Sequence, residues 1–87
     1  MNYEQLANEI LNRGGTPRSE PYRRGLARIL KVRHQKLLGT YVAGSPAIPY
    51  PVGSAEADAY FAGTDRGHFE WNQMHESQPD LIQRITP

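Results

Sequence analysis

The chain has no cysteine. That one absence excludes disulfides, thiolate catalysis and cysteine-held zinc or iron–sulfur sites. No apolar run approaches the roughly 20 residues that a bilayer-crossing helix needs. The opening Met1-Asn2-Tyr3-Glu4 puts an acid where a signal peptide would carry its basic region, so a cytoplasmic protein is expected. Large apolar residues are scarce: Leu, Ile, Val and Phe supply 17 of 87 positions. That is near the level at which chains stay disordered, but disorder also needs a high net charge, and here the formal charge is only +1. One folded domain over residues 1–87 is expected, with little core to spare.

The small net charge conceals an asymmetry. Residues 1–38 hold eight Lys/Arg against three Glu, a balance of +5, and residues 39–87 hold two Arg against six acids, a balance of −4. Such a chain can offer its front half to an acidic partner, or neutralise itself by folding the halves together. Composition does not choose between these.

Periodicity predicts an all-α fold of three main helices, over about 2–13, 19–38 and 54–75, with a Pro-rich linker between the second and third and a short C-terminal helical segment. Tyr3, Leu6, Ala7, Ile10 and Leu11 recur at helical spacing behind an Asn2 cap, and Gly14-Gly15 ends that run. Thr16-Pro17-Arg18 reads as a turn. Ser19 caps the second helix, with Pro21 in its first turn. Its core face reads Tyr22, Leu26, Ile29, Leu30, Arg33 and Leu37. Ser45 to Gly53 carries three prolines in nine residues. This is a stiff extended connector whose Ile48, Tyr50 and Val52 alternate toward the core. Ser54 caps the third helix, where Ala57, Tyr60, Phe61, Thr64, His68 and Trp71 share a flank. Leu81, Ile82 and Ile85 are placed over the open end of the core.

Five of the eight aromatic residues, Tyr50, Tyr60, Phe61, Phe69 and Trp71, fall between positions 50 and 71. The third helix is therefore the one on which the others dock. Gly63 and Gly67, four apart, cut a notch along it. Gly25 is an interior helix glycine that costs about 1 kcal/mol relative to alanine. Close approach of another backbone explains that cost, so Gly25 is the expected partner of the notch.

The strongest charged feature is Arg18 to Lys36, with seven Lys/Arg and with Tyr22 and His34 interleaved. Guanidinium forks match phosphate oxygens, and several cations together release counterions from nucleic acid. A solvated face balanced by the acidic half is the competing reading. His68 and His75 are seven apart, whereas helical metal pairs use three or four, so no metal site is expected. No Ser/His/Asp order, phosphate loop or carboxylate pair sits in a recognisable context, and no enzyme or cofactor is expected.

From Tyr22 to Trp71 the chain resembles the ribosome modulation factor family and its small phage and proteobacterial relatives. The residues that carry the resemblance are Tyr22-Arg23-Arg24-Gly25-Leu26-Ala27, Pro49-Tyr50-Pro51, Gly53-Ser54, and Tyr60-Phe61-Ala62-Gly63 with Gly67. It implies two helices joined by a linker, binding to ribosomal RNA and silencing of the ribosome.

Two functions from different classes follow. The first is an RNA- or ribosome-associated module. Arg23, Arg24, Arg28, Lys31, Arg33 and Lys36 would lie on phosphates, and Tyr22 or Tyr50 would stack on a base. The second is a protein-binding inhibitor or adaptor of the kind small phage genomes encode, acting on a host protein or pairing as a homodimer. It would use Tyr60, Gly63, Gly67, Phe69 and Trp71.

Overall fold

Side-chain caps set where the three long helices begin. The computed structural model describes residues 1–15, 17–42, 44 and 48–87. Its elements are α1 (Tyr3–Arg13), α2 (Glu20–Leu38), α3 (Ala55–Ser77) and α4 (Pro79–Gln83). Asn2 Oδ1 accepts from the Gln5 amide at 2.8 Å, and the Gln5 side chain accepts from the Asn2 amide at 2.9 Å. Two otherwise orphaned donors at the start of α1 are thereby satisfied. Ser19 and Ser54 accept from the Tyr22 and Ala57 amides at 3.4 and 3.1 Å. Each cap lies just outside its helix, so these starts fall one residue after the expected ones. Gly39, at φ +77°, ends α2 in the left-handed conformation that glycine tolerates best.

The all-α expectation holds. The nesting of α2 on α3 also takes the anticipated form. A Cβ at Gly25 would collide with the Tyr60 carbonyl, and a Cβ at Gly63 would collide with the Tyr22 carbonyl. A Cβ at Gly67 would sit 3.0 Å from the Ile29 side chain. Backbone meets backbone, and only glycine permits it.

These contacts also set direction. Gly25 faces the Tyr60–Thr64 turn, Ile29 faces Gly67, and Arg33 faces His68 and Asn72. Facing residues advance together, so α2 and α3 run parallel. Parallel neighbours need a long return. The 19-residue α2 is about 28 Å long, and the connection over 39–53 can reach about 50 Å when extended. The prolines suit that task. The expected extended course of residues 45–47, and the turn at residue 16, lie outside the described residues.

α1 runs antiparallel to α2, as its short connection requires. Tyr3 meets His34 toward the end of α2, while Asn8, Leu11 and Asn12 lie beside Arg18 and Arg23 at its start. The core joins Leu6, Ile10 and Leu11 of α1, Leu26 and Leu30 of α2, and Trp71 and Met74 of α3. Ile82 and Ile85 close its end, with Leu81 packed beside them. Each fully buried Leu or Ile contributes about 1.5–3 kcal/mol. The chain ends are tied together: the Thr86 amide donates to the Met1 carbonyl at 2.7 Å, and the Met1 ammonium donates to the Arg84 carbonyl at 3.2 Å.

Four expectations about single residues need correction. Leu37 does not reach the core and is 53% exposed, while His34, four residues after Leu30, is buried. The α2 stripe that meets α1 continues through Leu26, Leu30 and His34; His34 already meets Tyr3 at the start of α1, and Leu37 lies one turn beyond it. His34 is thus core and not part of the basic surface. Phe61 is 48% exposed. Tyr60 and Gly63 face α2, and a residue one step on is turned about 100° away. Val52 is 96% exposed. It sits at the tip of a turn in which the Ser54 amide donates to the Pro51 carbonyl at 3.2 Å, so the alternation of Ile48 and Tyr50 stops before it.

Candidate nucleic-acid interface

Helical geometry sorts the cations of α2 onto two sides. Tyr22, Gly25, Leu26 and Ile29 face α3. At about 100° per residue, Arg24 and Lys31 point the opposite way, with Arg23 and Arg28 at the two edges. The antiparallel α1 forms the second wall there. Between the two helices runs an open groove of about 560 Å³, with Arg23, Arg24, Arg28 and Lys31 on one side. Asn2, Tyr3, Glu4 and Asn8 line the other, over a floor that includes Ala7 and Ala27. Arg23 extends into a second hollow beside Arg18.

Among the described residues, no acid of the C-terminal half pairs with any of these four cations. Arg24 bonds Glu20 one turn back at 2.8 Å, with both side chains more than half exposed. An exposed pair of this kind contributes about 0–1 kcal/mol, so a phosphate can take the guanidinium over. On α3, Glu70 is held by Arg66 of its own helix at 2.8 Å. That hydrogen bond keeps the Arg66 pKa raised above its ordinary value.

The remaining sequence candidates lie elsewhere. Arg33 is anchored to α3: its Nη1 meets His68 Nδ1 at 2.9 Å and its Nη2 donates to Asn72 Oδ1 at 2.6 Å. A guanidinium can only donate, so His68 accepts at Nδ1 as a neutral ring. Partial burial, and then the Arg33 charge, hold the His68 pKa below its usual value. The Lys36 ammonium lies 5.1 Å from the Tyr41 ring centre. Arg33 and Lys36 therefore border a separate hollow with Trp71, Asn72, His75 and Glu76. Of the two stacking candidates, Tyr22 is covered by the Arg18 guanidinium at 4.9 Å, and Tyr50 meets the edge of Tyr60 at 6.1 Å.

The proposed protein interface is mostly used up inside the chain. Gly63 and Gly67 are filled by α2, and Trp71 is 3% exposed. A surface for a partner cannot be built from them. Phe69 alone of the five is well exposed, at 57%.

Sequence reasoning overlooked the α1 wall, namely Asn2, Glu4 and Asn8. The signal was available: a short α1–α2 connection makes the helices antiparallel neighbours, so the polar flank of α1 must border the basic flank of α2.

The arrangement can hold anions through paired N–H donors and point charge, with amide side chains opposite. Comparison with protein-family models, curated proteins and solved structures finds no match.

Proposed function

We propose that this chain is a non-enzymatic RNA-binding module that grips the phosphate backbone in the α1–α2 groove. One observation carries the reading: Arg23, Arg24, Arg28 and Lys31 line one groove on the side of α2 turned away from α3. The acids of α3 cannot reach across the helix to neutralise them. Asn2 and Asn8 on the facing wall offer hydrogen bonds to base edges or to a ribose hydroxyl. The narrower reading, that the RNA is ribosomal, rests on the Tyr22–Trp71 resemblance.

The test is direct binding of a labelled single-stranded RNA by the wild-type chain and by the Arg24→Glu/Arg28→Glu variant. Loss of binding with the helical circular dichroism unchanged is the expected result. Retained affinity in the variant overturns the reading.

A second reading is favoured by a different observation: Phe61 and Phe69 stand in solvent on the outer side of α3. Exposed aromatic side chains on one face suit a protein partner. Salt separates the two functions, since phosphate binding falls steeply with ionic strength and apolar contact does not.

A further inference from the structure

The outer side of α3 carries Asp58, Phe61, Ala62, Asp65 and Phe69, all of them exposed. Tyr60, Gly63, Thr64 and Gly67 face α2, so this stripe points directly away from the rest of the molecule. Among the described residues, Asp58 and Asp65 are in no ion pair. The stripe is thus acidic and aromatic, two rings beside two free carboxylates. The α1–α2 groove is its complement: four cations outnumber Glu4 and Glu20 over a partly apolar floor. The two surfaces lie on opposite sides of the α2–α3 pair, so they cannot meet within one chain.

We propose that the α3 stripe of one copy docks in the α1–α2 groove of a second copy. Asp58 and Asp65 would approach Arg23, Arg24, Arg28 and Lys31, and the Phe69 ring would cover the Ala7/Ala27 floor. The two patches differ, so the contact is heterologous and repeats head to tail instead of closing as a two-fold dimer. One helix face is a small interface for a specific complex, so association is weak, concentration-dependent and salt-sensitive. The groove is also the proposed RNA site, so a polyanion competes with self-association and disperses the assemblies.

Sedimentation equilibrium over a concentration series at low and high salt tests this. At low salt, the wild-type mass is expected to climb past twice the 9.8 kDa of one chain without a plateau, and to return to one chain at high salt or on adding RNA. Phe69→Ala weakens association about tenfold and leaves RNA binding intact. Arg28→Glu and Asp65→Lys each stop assembly when alone. Mixed, they associate again, because the intact stripe of the first fits the intact groove of the second. A wild-type mass fixed at one chain, or assembly that survives in both single variants, overturns the proposal. RNA affinity measured on the same samples reports separately on the functional reading. A chain that assembles but binds no RNA loses that reading and keeps this one.

Discussion

Gly25 and Gly63 hold each other's helix at backbone distance: each stands where the other helix presents a carbonyl, from Tyr60 in one case and Tyr22 in the other. This contact turns α2 so that Arg24, Arg28 and Lys31 face outward.

Gly25→Ala and Gly63→Ala measure it. Helix propensity alone would have alanine stabilise by about 1 kcal/mol. Here the added methyl meets backbone, which cannot rotate aside, and overpacking costs about 1–3 kcal/mol or more. A net loss is expected at both positions, read as a lower denaturant midpoint. Gly67→Ala meets the Ile29 side chain and should lose less. A gain in stability at Gly25 would mean that the helices are further apart.

The buried Tyr3–His34 pair gives the fold a pH dependence. The Tyr3 hydroxyl meets His34 Nδ1 at 2.8 Å, and the imidazole packs 5.9 Å from Trp71. Burial holds the His34 pKa below its ordinary 6.5. The unfolded chain therefore takes up a proton before the folded one does. Stability is full above about pH 6.5 and falls as pH drops from there through the lower folded value. His68 is shifted in the same sense and adds to the slope. Urea midpoints measured from pH 8 to pH 5 should decline, and a His34→Gln variant should decline less. Tyr3→Phe leaves a buried ring nitrogen unpartnered, at a cost of about 1–3 kcal/mol.

Arg33 separates stability from binding. Its guanidinium is tied to His68 and Asn72 across the α2–α3 seam. Arg33→Ala should lower stability by about 1 kcal/mol and leave RNA affinity within about twofold. A drop in affinity as large as that of Arg28→Glu would show that the bound strand wraps onto the second side of α2.

How much of this was legible in the sequence varies with the range of the interaction. The caps at Asn2, Ser19 and Ser54 are local signals and fall where expected. So does the glycine notch, because a helix-interior glycine has few explanations besides close approach. Side-chain register was harder. Periodicity put Leu37 and Phe61 inside and left His34 on the basic surface. Which residue of a stripe is buried depends on where a second helix crosses, and that is not a local property. The parallel direction of α2 and α3 was not read from the linker, although its length allows it. The basic groove was half visible: the α2 cations are conspicuous, but the division of Arg33 and Lys36 from the other four, and the wall supplied by α1, come only from packing.

The salt dependence of RNA affinity tests the groove most directly. Four phosphate contacts on a single strand give a slope of log K against log[salt] of about −3, or roughly a 50-fold loss between 50 and 200 mM. The wild-type chain should show that slope, and the Arg24→Glu/Arg28→Glu variant should show little binding to lose. A salt-independent affinity, or no measurable RNA binding at low salt by a fully folded chain, would contradict phosphate recognition in the groove.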